Sequence, residues 1–222
     1  GGETAACTED LALSRATEES LWAGIGALRV GDRLYAVGEA VEASIEAAAS
    51  RDRRDYGIIE EYVGHTIGRE MHLDPQIPNY GVRERGPIVR SGYTGAIEPM
   101  ITLGSPQTEV LADDWTVVTV DGSRAAHWEH TVAVRDEGLW VLTALDGGAA
   151  RLAAMGMPFA PSVPTEAGPG WVGLAGFRRV AAAEHNDPMR VGARAAAPSV
   201  TRRRDRPGGE GRKARDMGWL WW

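Results

Sequence analysis

The chain has 222 residues, 43 % of them hydrophobic, and a formal net charge of −7; that length fits one α/β domain, or a domain plus a tail, with enough apolar content for a core. The charge is uneven. Residues 164–222 hold 11 Lys+Arg against 6 Asp+Glu and stand at +5, leaving residues 1–163 at −12, which argues against a nucleic-acid groove in the body and suits a carboxylate-lined cation site. Cys7 is the only cysteine and no apolar run nears the length of a membrane span, so a disulfide framework, a thiolate zinc site and a membrane partner are excluded.

The opening GGETAACTED has neither the basic nor the apolar region of a signal peptide, so the cytoplasm is the expected location; beginning without Met, the sequence reads as a fragment or processed form of a longer protein. Residues 10–30 predict a helix, with Leu13, Thr17, Leu21, Ile25 and Leu28 at helical spacing and Gly31 as its C-terminal cap. Asp32 caps a second helix whose stripe is Leu34, Val37, Val41, Ile45 and Ala48, with Glu39, Glu42 and Glu46 facing out. Residues 51–55 are a charged break and 58–63 a short strand. Residues 64–92 are punctuated by Gly and Pro and read as a long functional loop. Strands are expected over 96–103 and 115–120, then a hairpin turn at Asp121-Gly122, a return strand over 127–134 and another over 139–143. Helices followed by antiparallel strands predict an α+β sheet with helices on one face. After about residue 158 the composition turns to linker and low apolar content, so disorder is expected there.

Three stretches carry chemistry: GHTIG with His65 and nearby His72, AIEPM with Glu98, and HWEHTVAV with Glu129. Alternation along a strand puts His127, Glu129 and Thr131 on one face and Trp128, His130 and Val132 on the core face. Pro99 ends regular pairing and leaves Glu98 at a strand terminus. Imidazole plus carboxylates is a ligand set for Mn, Co, Fe or Zn. Each residue alone has a plainer reading, a solvated Glu or a loop His.

Together, YVGHTIGREMHLDPQIPNYG (62–81), GAIEPMITLG (95–104) and DDWTVVTVDGSRAAHWEHTVAV (113–134) resemble the type I methionine aminopeptidases of the creatinase-like pita-bread fold, from about residue 2 to about residue 143. The resemblance implies a curved antiparallel sheet with helices on one face, the first part of that domain missing, over residues 1–160. It implies removal of the N-terminal Met of peptides and nascent chains by water that two divalent metal ions activate. By the same resemblance His65 is the histidine ligand, Glu98 a terminal carboxylate and general base, and Glu129 a bridging carboxylate. His72 contacts the scissile amide, Trp115 lies near the methionine pocket, and His127 stands at a substrate-side position that is usually Gln. GGETAA looks like the remnant of an HGDTA-like string, which puts Glu3 in the place of a metal-binding Asp. The other Asp of the family lies before Gly1, so weak or no turnover is implied for this chain. Xaa-Pro aminopeptidases share fold and ligands, and a non-catalytic pita-bread binding module is a further alternative. A monomer is expected. The basic tail, 161–222, allows contact with ribosomal RNA through Arg202–Arg204, Arg206, Arg212, Lys213 and Arg215, the plainer reading being an unselected tail. Departures from the family are Thr66 for Gly, Leu73 for Glu, and Tyr93 and Gly95 for apolar residues; Gly95 predicts loose packing near Glu98.

Overall fold

The computed structural model describes residues 7–161; Glu3 and residues 162–222, with the roles and the disorder expected for them, lie outside the described residues. Helix α1 (Thr8–Gly26) buries Leu13, Leu21 and Ile25, with the smaller Ala16, Thr17, Ser20 and Gly24 between them. The hydroxyls of Thr17 and Ser20 donate to the carbonyls of Leu13 and Thr17, both at 2.8 Å, which lets polar residues enter a buried helix face. Gly24 is a crossing point: a Cβ there would stand 2.8 Å from Val41 Cγ2 and 3.3 Å from Ile97 Cγ2, between the second helix and the sheet.

α1 stops at Gly26 instead of running to residue 30. The amides of Ala27 and Leu28 bond to carbonyls three residues back, at Gly24 and Ile25, a tightening that closes a helix. Gly31 takes its positive φ of 92° in the turn beyond. Helix α2 (Ala36–Asp52) begins four residues after Asp32. The backbone of 31–35 is recruited elsewhere: Gly31, Leu34 and Tyr35 donate to Val89, Pro87 and Arg85, and Asp32 accepts from Val89. The predicted stripe of Val37, Val41, Ile45 and Ala48 is buried on α2.

The strands are β1 (Gly57–Ile58), β2 (Gly64–Thr66), β3 (Leu73–Ile77), β4 (Thr94–Ile97), β5 (Met100–Thr102), β6 (Thr108–Val110), β7 (Val117–Thr119), β8 (Ala125–His127), β9 (His130–Arg135) and β10 (Gly138–Val141), followed by the short helix α3 (Ala149–Ala154). They form a five-stranded sheet ordered β10-β9-β4-β2-β3, a three-stranded sheet ordered β1-β5-β8 and a ribbon of β6 and β7. Every pairing within them is antiparallel.

Five sequence expectations about the strands need correction. The supposed loop 64–92 contains β2 and β3, which pair with each other across a bulge; its glycines and prolines masked strands whose pairing is tertiary. The predicted strand 96–103 is two strands in two sheets, split at Glu98-Pro99. The hairpin 115–134 does not form as expected: β7 pairs with β6 and β8 with β5, so Asp121-Gly122 turns the chain between sheets. Residues 127–134 are likewise divided, at Trp128-Glu129. The strand over 58–63 reduces to β1, after which the Ile59 amide donates to Met100.

The core lies where α1 and α2 cover the sheet, with Leu13, Leu21, Ile25, Val37, Val41, Ile97, Ile101 and Val132 fully buried. Each such side chain contributes roughly 1.5–3 kcal/mol by leaving water. The α+β class with helices against a sheet face is therefore the observed one. Among the described residues, no helix is long and apolar enough to cross a membrane.

Candidate metal centre

The strand breaks build the site. β4 pairs with β9 so that Ile97 stands opposite His130, and β5 with β8 so that Met100 stands opposite His127. One register runs through both, which sets Glu98 opposite Glu129 and Pro99 opposite Trp128; the Trp128 amide donates to the Pro99 carbonyl at 3.3 Å. Residues opposite each other across a pair, and alternate residues along a strand, share a face. Glu98, His127 and Glu129 thus share one. His65 on β2 joins them, because its partner is Ala96, two residues before Glu98.

The other face meets α1. Ile97 lies by Gly24, Trp128 Nε1 donates to Ser14 Oγ at 3.2 Å, and the His130 ring meets Trp22 edge-on at 5.3 Å. His130 Nδ1 lies 2.7 Å from Thr143 Oγ1, and burial lowers the pKa of its imidazole. Trp128, His130 and Val132 are the core-side residues that alternation predicts.

Glu98 sits between two imidazoles. Its Oε1 is 3.3 Å from His65 Nε2 and its Oε2 is 3.5 Å from His127 Nε2, with the three side chains 13 %, 10 % and 10 % exposed. Ligand atoms of Glu98, His127 and Glu129 all lie within 4.8 Å of one another. The His72 ring lies 4.4 Å from that of His65, tilted by 60°. Burial, then the facing Glu98 carboxylate, raise the pKa of Glu129; His127, His65 and His72 act against the rise.

This donor set fits a divalent cation. Two carboxylates directly opposite on neighbouring strands repel each other, and a cation between them removes that cost while satisfying the imidazoles. Oxygen and nitrogen donors in this mixture suit Mn, Co, Fe or Zn.

His65, His72, Glu98, His127 and Glu129 therefore converge. The three-ligand group includes His127, which the resemblance had set on the substrate side. Trp115 stands apart in character, 84 % exposed in the turn between β6 and β7. That turn is shaped by Asp113, whose carboxylate accepts the amides of Trp115 and Thr116 at 3.1 and 2.8 Å.

Two features escaped the sequence reading. Asn79, within PNYG, is fully buried and donates to the Glu98 carbonyl at 3.2 Å; beyond its place in that string, the local sequence carries no signal of this role. The departures at 66, 93 and 95 also belong together. The Thr66 hydroxyl lies 3.0 Å from the Tyr93 hydroxyl and donates to the Pro75 carbonyl at 3.0 Å. A Cβ on Gly95 would stand 2.9 Å from both the Tyr93 hydroxyl and Ile77 Cδ1. The space at Gly95 is filled, so the expected loose packing near Glu98 is not observed.

Comparison with known proteins agrees with this geometry. Residues 2–136 match the model of metallopeptidase family M24. The chain is 58 % identical over 134 residues to methionine aminopeptidase 1 of Mycobacterium tuberculosis, covering 60 % of this chain and 50 % of that protein. It is 42 % identical over 135 residues to methionine aminopeptidase 1 of Bacillus subtilis, covering 61 % and 52 %. The crystal structure of methionine aminopeptidase from Thermotoga maritima superposes with a TM-score of 0.57 at 42 % identity, over 62 % of this chain and 53 % of that one. The chain spans about half the length of the curated relatives it matches. Its mixed architecture of helices on antiparallel sheets is the pita-bread fold of these relatives. The chain belongs to metallopeptidase family M24.

Proposed function

We propose that this chain serves an aminopeptidase that removes the N-terminal methionine from peptides and nascent chains, using water activated at two divalent metal ions. The observation that carries the reading is the convergence of Glu98, His127 and Glu129 within 4.8 Å, with His65 against Glu98, in a chain 58 % identical to a methionine aminopeptidase. His65, Glu98 and Glu129 hold the metal, with Glu3 as a further carboxylate and His127 beside them. When bound, such ions polarise a carbonyl and make water a nucleophile near neutral pH. Glu98 takes the proton of the attacking water and passes it to the leaving amine as the peptide C–N bond breaks. His72 donates a hydrogen bond to the developing oxyanion. Trp115 flanks the methionine side chain. The acidic body favours a free N-terminal amine. In this reading the protein works as a cytoplasmic monomer on chains leaving the ribosome.

The test is release of methionine from a Met-Ala-Ser peptide with added Co(II) or Mn(II). Release, even slow, that requires the metal and falls by about 10²- to 10⁴-fold in Glu98→Gln is the expected result. Folded, metal-loaded protein extended to the length of its relatives that still releases none contradicts the activity.

A further inference from the structure

We infer that Asn79 is a positioning residue for the metal group: its side-chain amide fixes the backbone of Glu98 and ties it, through the segment 78–81, to helix α2. The inference rests on the metal reading above.

Glu98 and Pro99 lie between β4 and β5, outside both ladders, and Pro99 has no amide hydrogen to give. A carboxylate that must meet two imidazoles and a facing Glu129 therefore hangs on a short segment between the ladders, where the Trp128 amide bonds the Pro99 carbonyl but nothing in the ladders bonds Glu98 itself. Asn79 supplies the missing support. It is 0 % exposed, and its Nδ2 donates both to the Glu98 carbonyl at 3.2 Å and to the Tyr62 carbonyl at 3.4 Å. Tyr62 lies three residues before His65. One amide group thus spans the approaches to both Glu98 and His65.

The orientation of this amide is forced. Turning it over would set Oδ1 against two carbonyl oxygens. As it stands, Oδ1 is buried with no hydrogen-bond partner among the described residues. An orphaned buried acceptor costs about 1–3 kcal/mol, so the residue is kept for its two donors and not for its own satisfaction.

The segment that carries Asn79 packs closely on α2. A Cβ on Gly38 of α2 would stand 2.2 Å from the Tyr80 carbonyl oxygen and 2.8 Å from that of Pro78, so only glycine lets the helix come this close. Glu42, one turn on, accepts the Gly81 amide at 2.8 Å. α2 therefore grips the chain on both sides of Asn79. Partners that orient a ligand's support are worth about 10- to 100-fold in metal affinity in other metalloproteins.

The experiment is titration of the full chain with Co(II), reading affinity by calorimetry and ligand geometry by the visible absorption of the bound ion. Asn79→Asp keeps the shape and removes the paired donors. Glu42→Ala removes the outer support on the helix surface. Leu21→Ala, a core change in α1, serves as a control for destabilisation alone. The expected result is that Asn79→Asp binds Co(II) about 10- to 100-fold more weakly with an altered spectrum, that Glu42→Ala shifts both in the same direction by less, and that Leu21→Ala lowers Tm while leaving the spectrum unchanged. Folded Asn79→Asp with the affinity and spectrum of the unaltered protein overturns the inference. If Asn79→Asp does not fold, an unchanged Glu42→Ala overturns it. Failure of the unaltered protein to bind Co(II) is a different result, and overturns the metal reading itself.

Discussion

Glu129 shows the conflict between stability and site at a single residue. Its carboxyl is raised above the ordinary value by burial and by Glu98 opposite, so the folded metal-free protein holds this proton more tightly than the unfolded chain. Stability from this group is fully present below the ordinary Glu range and is lost as pH rises through the raised value. Metal-free protein should therefore lose Tm as pH rises above the ordinary Glu range, and Glu129→Gln should flatten that loss while weakening metal binding. Thermal unfolding with and without a chelator checks both. Tyr93 offers a second residue-scale test. Its hydroxyl meets that of Thr66 at 3.0 Å, so Tyr93→Phe should cost about 1 kcal/mol. Repeating it in a Thr66→Val background should cost less, because the pair is then already broken.

At the scale of elements, close approach outweighs propensity. Gly38→Ala would gain about 1 kcal/mol of helix propensity in an open helix. Here the added methyl meets the backbone carbonyl oxygen of Tyr80 at 2.2 Å, so the substitution should lower Tm, and a differential scan of the two proteins decides it. The helices were legible because apolar residues at 3.6-residue spacing report burial directly: Val37, Val41, Ile45 and Ala48 are all buried as the stripe predicts. The start of α2 was not, because Asp32 is drawn into backbone bonding with 85–89, which no local capping signal records. The strands were half legible. Alternation found the shared face of His127 and Glu129, and Pro99 announced the break at Glu98. Which strand pairs with which depends on residues far apart in sequence, so the strands expected over 115–120 and 127–134 were wrongly paired with each other: β7 pairs with β6, β8 with β5, and β9 with β4 and β10.

For the whole molecule, the site sits where two sheets meet, and the helices brace it from behind. His65 comes from the five-stranded sheet, while Glu98 and Glu129 come from the two chain segments that pass between sheets, and His127 ends a strand of the smaller one. Motif order made this group recognisable in sequence. The role of Asn79 was not, since one buried amide on two carbonyls leaves no periodic trace. His65, Glu98 and Glu129, with His127 beside them, are proposed to form the divalent-metal centre. Calorimetric titration of the chelator-treated protein with Co(II) tests it most directly. Binding that weakens by on the order of 100-fold or more in the double variant Glu98→Gln, Glu129→Gln is the predicted result, and equal affinity in the folded double variant would contradict it.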